Sequence, residues 1–324
     1  MAIPETLQRG LRLPIIAAPM FLVSGPELVV AACRNGVIGT FPALNQRSSA
    51  GYEAWLNEIS ESLSDRDAHF GVNLIVHRTN PRFDADLEIT VRHRVPLVVT
   101  SLGARADVVD AVHSYGGLVF HDIATPAHAS KAAKIGVDGL ILVCGGAGGH
   151  AGALNPFALM NEVKQEFAGP IVLGGALTTG GDVAAAEMMG ADFAYMGTRF
   201  LCTEESRAHA AHKRMIFGAG ASDVLYTPAI SGLAANFLIP SLLAAGLDPD
   251  NLGQHRAIDV AHEMNREVNA WKDVWSAGQG VGSIHDAPPV NSLICRMVQE
   301  YEAAACAFAA KWQSRAPLHA GVRL

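Results

Sequence analysis

Large rings are scarce in this sequence: 12 Phe, 5 Tyr and 4 Trp in 324 residues. With 32 Gly and many Ala, the chain suits closely packed layers of helix on sheet. Cysteine is scarce as well. The five present, Cys33, Cys144, Cys202, Cys295 and Cys306, are odd in number and scattered, and no two form a CxxC pair. This argues against a disulfide framework or a zinc site and for a reducing compartment. No block of Lys and Arg exists and the formal charge is −7, so neither nucleic acid nor an anionic membrane is an expected partner. No apolar run reaches the ~18 residues of a membrane helix. Val23 to Cys33 comes nearest, and Pro26 and Glu27 interrupt it. Met1 to Thr6 lacks a basic stretch leading into an apolar one, so no signal peptide is expected and the cytoplasm is the expected location.

What is present is a rhythm. Half the residues are apolar, enough for a sizeable core in one large α/β domain or one domain plus a smaller one. Up to Phe200, short apolar runs alternate with helical stretches. The expected strands are Ile15 to Ala18, Val37 to Thr40, Phe70 to Val76, Leu97 to Thr100, Leu118 to Ile123, Gly139 to Val143, Ile171 to Leu173 and Phe193 to Met196. Expected helices include Glu27 to Asn35, Tyr52 to Leu63, Ala104 to Tyr115, Pro126 to Ile135 and Gly181 to Met189. Near-continuous apolar strands imply a parallel sheet covered by helices. A doubly wound open sheet competes, but eight βα units in about 200 residues fit a (β/α)8 TIM barrel better. Chemistry in that fold sits at the C-terminal strand ends, where Met20, Asn73, Ser101, Asp122, His150, Gly174 and Thr198 fall. Beyond Phe200 the rhythm stops. Thr203 to Phe217, Asn236 to Leu243 and Ile258 to Trp271 read as helices of a smaller helical C-terminal domain or lid, and Asn291 to Lys311 as a long amphipathic helix.

The most conspicuous stretch is Cys144 to Gly152, which follows the sixth strand and carries Gly145, Gly146, Ala147, Gly148 and Gly149 just before His150. Glycines there let the backbone turn sharply or lie against a flat ligand. A plain flexible connection explains the same composition. Asn155-Pro156 then reads as an N-cap and first residue of the next helix. Gly174, Gly175 and Ala176 follow the seventh strand, and Met196, Gly197 and Thr198 the eighth. Loops at those two places of a barrel commonly bind phosphate through backbone N–H groups. Relief of crowding at the rim is the competing explanation. Neither loop contains GxxxxGK[ST], which excludes an NTPase P-loop. Ala18, Pro19 and Met20 form a stiff turn with a polarizable side chain, suited to one face of a flat ring or to a core. Asn73 is polar on a buried strand and needs a partner, ligand or carbonyl.

The set Ala18-Pro19-Met20, Gly71-Val72-Asn73-Leu74, Ala147 to Gly152, Gly174-Gly175 and Met196 to Phe200 resembles the nitronate monooxygenase family, formerly 2-nitropropane dioxygenase. It is also similar to the FMN-dependent enoyl-ACP reductase II enzymes. The resemblance implies an FMN-binding barrel over 1–222, a helical substrate-covering segment over 223–290 and a helix over 291–324 that returns to the barrel. It implies that Gly174, Gly175, Gly197 and Thr198 hold the FMN phosphate, with Ala176 and Met196 also among the cofactor-binding residues. Ala18, Pro19 and Met20 would then lie along the ring and Asn73 bond to its polar edge, with Asp122, Ala147, Gly148 and Gly149 also cofactor-binding. His150 matches the family's active-site histidine, as a base or as a group that orients an anionic substrate. Gln279, in Ser276 to Gly282, is a further candidate for contact with substrate or flavin. Some relatives carry Lys where this chain has Asp122. The implied activities are oxidation of an alkyl nitronate with O2, or NAD(P)H-dependent reduction of an enoyl thioester or quinone. A non-catalytic flavin-binding barrel is the third alternative. No metal is expected, and a homodimer is compatible.

Overall fold

Eight of the apolar runs pair in parallel and close on themselves. The computed structural model describes residues 3–252 and 274–315. Its strands are β1 (Ile15–Ala17), β2 (Ile38–Pro42), β3 (Phe70–Ile75), β4 (Leu97–Ser101), β5 (Leu118–Ile123), β6 (Gly139–Val143), β7 (Gly149–His150), β8 (Ile171–Gly174), β9 (Phe193–Met196), β10 (Val224–Thr227) and β11 (Ala235–Leu238). The closed barrel runs β1-β2-β3-β4-β5-β6-β8-β9. The register Ile15↔Ala194, Ile16↔Tyr195, Ala17↔Met196 closes the ring.

Strand residues alternate between two buried environments, which is why they read as unbroken apolar runs. Ile16, Ile38, Leu97, Val99, Phe120, Ile141, Val172 and Phe193 fill the barrel, and Leu7 of the first helix packs with them. Val72, Leu74, Val98, Val119, Leu140 and Leu142 face the surrounding helices. Two residues beyond Gly71, Val99, Phe120 and Phe193, the inner positions become polar: Asn73, Ser101, Asp122 and Tyr195. The period of two places all four at the C-terminal mouth.

Local signals set the helix ends as the sequence suggests. Asn155 accepts from the Phe157 N–H with Pro156 in the first turn. Thr179 and Asp182 form a reciprocal capping box. The Gly190 backbone closes that helix with φ of 95°. The long helix near the C-terminus, Val290–Arg315, buries Val290, Leu293, Ile294 and Met297 against the barrel's outer layer.

Three elements differ from expectation. Thr203 to His209 is not helical, and the helix begins at Ala210. Thr203 Oγ1 donates to Phe200 O and Ser206 Oγ to Leu201 O (2.8 and 2.5 Å), while Lys213 Nζ donates to Thr203 O (2.5 Å). These bonds compete with the helical ladder. Asn236 to Leu238 is strand, not helix, and the helix starts only at Ile239, with Pro240 in its first turn. Strands β10, β11 and β7 form an antiparallel sheet, so the segment after the barrel carries strands as well as helix. The expected helix Ile258 to Trp271 lies outside the described residues. The helix Phe83–Arg92 between β3 and β4 was not singled out in the sequence.

Among the described residues, no helix is long and apolar enough to cross a membrane. Nor does any group of three His, Cys, Asp or Glu side chains among them converge as metal ligands.

Candidate functional site

The first wall of the mouth is the turn after β1. Ser24 Oγ accepts from Met20 N–H (3.0 Å), and the Asn45 amide donates to Met20 O and Ser24 O (3.0 and 2.8 Å). Asn45 Oδ1 in turn accepts from Leu22 N–H (2.9 Å). Ala18, Pro19 and Met20 are thus a pinned ledge. A Cβ placed on Gly197 would lie 3.8 Å from Ala18 Cβ and from Met20 Cγ and Sδ, so this ledge meets the loop after β9 at ordinary contact distance.

The loop after β8 has an unusual backbone. Gly175 has φ of 151° and Ala176, a non-glycine, φ of 56°. The amides of Gly175, Ala176, Gly197 and Thr198 donate to no protein acceptor among the described residues. Unspent amides at the ends of two adjacent strands form a cradle for an anion. Thr198 is held by its neighbours: Arg199, buried, donates to Asp286 Oδ1 (3.0 Å) and to Cys202 O and Asp286 O (2.6 and 2.7 Å). Met196, expected among the cofactor-binding residues, packs its side chain into the core with Leu293, Ile294 and Met297. Its carbonyl accepts from Ala18 N–H (3.0 Å) and so ties the cradle to the ledge.

The glycine run after β6 turns with positive φ at Gly146 and Gly149 (88° and 71°), as expected, and also serves a close approach of two backbone stretches. A Cβ on Gly148 would stand 2.8 Å from Gly278 N, and one on Gly278 only 2.7 Å from Gly146 O. These glycines let two stretches of this chain's own backbone touch. Gln279 N–H donates to Gly146 O (2.8 Å) and Gly278 N–H to Thr198 Oγ1 (2.9 Å). A Cβ on Gly146 would lie 3.1 Å from Gln279 Oε1 and 3.4 Å from Ala176 Cβ. The structure therefore gathers Gly146, Gly148, Ala176, Thr198 and Gln279 at one corner, and Gln279 belongs to the cradle side. Gly149 is the exception, since a Cβ there would meet nothing within 4 Å.

His150 sits on β7, fixed by pairing Ala235↔His150 and Asn236↔Gly149. Ser276 Oγ accepts from Gly149 N–H (2.6 Å) and donates to Asn236 O (2.6 Å). The Asn236 amide donates to Ala147 O (2.7 Å), and Tyr226 Oη–H to Ala151 O (3.1 Å). Behind them His212 Nε2 bonds to Ser276 O (3.0 Å), and its ring stacks on Trp275 at 5.1 Å. Asn236, Ser276 and His212 were not foreseen as supports of His150. Their signal is a polar residue in an apolar stretch, and it becomes legible only when β11 is paired. Burial pushes the His150 imidazole down to about 4, so the ring is neutral at physiological pH.

At the centre of the mouth the Asn73 amide donates to Val99 O (3.3 Å) and Ser101 Oγ (2.7 Å), and Ser101 donates to Asp122 Oδ2 (2.5 Å). Asp122 Oδ1 is buried without a protein partner among the described residues. Burial pushes its carboxyl up to about 7, partly offset by the Ser101 bond. Tyr195, facing it from β9, is raised by burial and by Asp122.

Buried neutral histidines make stability depend on pH. Burial lowers His121 and His212, like His150, to about 4. A base with a depressed folded value contributes stability that is present above the unfolded value near 6.5 and is lost as pH falls toward 4. Each such group removes about 1.4 kcal/mol per pH unit within that window. The melting temperature is therefore expected to fall steeply from pH 6.5 to 4.5, and His212→Gln to flatten part of that fall. A melting temperature unchanged down to pH 4.5 would contradict the buried neutral state.

Comparison with known proteins places the chain in a family and a fold. The family model for nitronate monooxygenase matches residues 43–300. A nitronate monooxygenase of Paraburkholderia phytofirmans is 25% identical over 307 residues, covering 81% of this chain and 82% of that protein. A hydroxy-methyl-oxo-octahydroindene-carboxyl-CoA dehydrogenase of Rhodococcus jostii is 27% identical over 234 residues. That match covers 72% of this chain and 65% of the relative, slightly under two thirds of its length. The fold is that of FabK from Thermotoga maritima, with TM-score 0.79, 22% identity, and coverage of 95% of this chain and 97% of that one.

Proposed function

The chain belongs to the nitronate monooxygenase family, and on that footing we propose that it is an FMN-dependent oxidoreductase that oxidises alkyl nitronates with O2. One observation carries the reading. A neutral histidine, braced by β11 and Ser276, stands on the same barrel rim as an anion cradle of unspent amides.

The residues present fit FMN. The amides of Gly175, Ala176, Gly197 and Thr198, with the Thr198 hydroxyl and the nearby Gln279, suit the phosphate. Ala18, Pro19 and Met20 offer a fixed ledge for one ring face, and the open space at Gly149 leaves room beside it. Asn73 and Asp122 suit the polar edge. FMN, when bound, supplies the electron transfer and the reaction with O2. The protein holds and orients. A nitronate arrives already deprotonated, so a neutral imidazole would suffice to donate a hydrogen bond to a nitro oxygen and orient the substrate. The β7–β11 cover limits water around that pair.

The second reading, NAD(P)H-dependent reduction of an enoyl thioester or a quinone, has its own support. Leu154, Phe157 and Tyr226 are exposed on or against the segment that follows His150, an apolar rim suited to an acyl chain. The Rhodococcus relative is named for a CoA thioester. Anaerobic mixing separates the two. An alkyl nitronate is expected to bleach the bound flavin within one turnover, while NADH and NADPH leave it yellow. Bleaching by a nicotinamide, with nitronate inert, would transfer the assignment to the reductase.

A further inference from the structure

The innermost layer of the mouth holds hydrogen bonds whose protons can be counted. Both protons of the Asn73 amide nitrogen are spent, on Val99 O (3.3 Å) and Ser101 Oγ (2.7 Å). Ser101 therefore accepts from Asn73, and its single hydroxyl proton goes to Asp122 Oδ2 (2.5 Å). Oδ2 is fixed as an acceptor. Any proton that Asp122 carries sits on Oδ1, which is buried and has no protein partner among the described residues. By the same count Asn73 has only its carbonyl oxygen left to offer.

An ionised Asp122 would be a buried charge with one hydrogen bond, far costlier than a buried neutral acid. Among the described residues no cation offsets it. From β4 it meets Ser101, on β6 its register partner is the apolar Ile141, and from β9 it acts on Tyr195, itself held neutral. His121 precedes it in the chain but bonds to Thr100 (2.7 Å), so it too is engaged elsewhere and neutral. The value near 7 agrees with this count.

We propose that Asp122 works as a neutral acid that donates from Oδ1 to an acceptor on the polar edge of the bound ring, so that flavin binding is tied to one proton. The inference rests on the FMN reading above. Asn73 as acceptor beside Asp122 as donor is the complement of an imide edge, which presents N–H next to C=O. A carboxylic acid kept neutral by its buried site thereby fills a donor role.

The test reads affinity rather than turnover. The full-length holoprotein is diluted at pH 7 and pH 9, and free FMN is followed by its fluorescence; this range lies above the phosphate's second ionisation near 6. The wild-type Kd is expected to weaken by roughly 50-fold across these two units, because the free protein loses the proton that binding requires. Asp122→Asn, a neutral donor of the same shape, is expected to bind FMN at both pH values with a Kd constant within about twofold. Should that variant fail to fold, Ser101→Ala keeps the question open to measurement. Loss of the one bond to the carboxylate is expected to move the fall in affinity to higher pH. Tight FMN binding by the wild type that is flat from pH 7 to 9 overturns the role of Asp122 and leaves FMN standing. So does an Asp122→Asn protein with the wild-type pH dependence. A chain that binds no FMN at any pH overturns both.

Discussion

His150→Ala is expected to lower kcat/KM for an alkyl nitronate by about 10²-fold or more, the usual scale for a lost acid, base or charge-orienting donor. FMN content and fold are expected to survive. The β7–β11 pairing that holds position 150 is made by backbone groups, and Ser276, Asn236 and Tyr226 bond to the backbone of residues 147, 149 and 151. Removing the imidazole leaves that scaffold intact. His150→Asn separates the two possible duties. The native ring is neutral, with its imidazole pushed down to about 4, which makes it a weak proton acceptor and a sound hydrogen-bond donor. Asn keeps a donor and is expected to restore much of the lost rate with the nitronate. With the parent nitroalkane, which still carries its proton, Asn is expected to restore little. The measurement is steady-state oxygen uptake with both substrate forms. Near wild-type turnover by His150→Ala would remove His150 from the mechanism, whatever the flavin does.

Gly175→Asp is expected to leave the protein colourless. Three effects act together at this position. Its φ of 151° is one that only glycine adopts readily, at a cost of about 1–3 kcal/mol for another residue. An added Cβ would stand 3.1 Å from Gly145 O and 3.3 Å from Cys144 Cβ, so the rim must shift to receive it. A carboxylate beside the phosphate then adds repulsion of about 4 kcal/mol at near-contact distance, close to 10³-fold in Kd. Gly175→Ala carries the strain without the charge, so the difference between the two variants isolates the electrostatic part. Raising the ionic strength is expected to recover some FMN binding in Gly175→Asp and none in Gly175→Ala. An FMN-replete Gly175→Asp protein would show that the phosphate lies elsewhere.

The barrel was readable because its signals are local. Each strand is a short run buried on both faces, and each is followed by turn and capping residues that act within a few positions, as at Asn155-Pro156 and Thr179 with Asp182. Runs of that kind repeated eight times leave little choice but closure. The positions of Asn73, Ser101, Asp122, Gly174 and Thr198 at or just beyond the C-terminal strand ends follow from the same count, whereas His150 lies on β7, outside the barrel.

The cover over the mouth was not readable. Strand β11 pairs with β7 more than 80 residues earlier in the chain, and nothing in Asn236-Phe237-Leu238 marks that partner. Read alone, the stretch suits a helix; tertiary pairing decided otherwise. The same limit applied to the glycines. Gly146 and Gly148 looked like space for a ring, but only the folded chain shows Gly278 lying against them.

The sequence by itself determined the βα rhythm, the closure of the barrel and which residues end its strands, because apolar periodicity and capping chemistry act between near neighbours. Only the tertiary structure decided what those residues do. It turned Met196 into the core and joined Asn73, Ser101 and Asp122 through their hydrogens. It also removed water from Asp122 and His150, which left one a buried acid and the other a neutral ring. Burial and hydrogen-bond partners are properties of the space around a side chain, and residues far apart in the chain build that space.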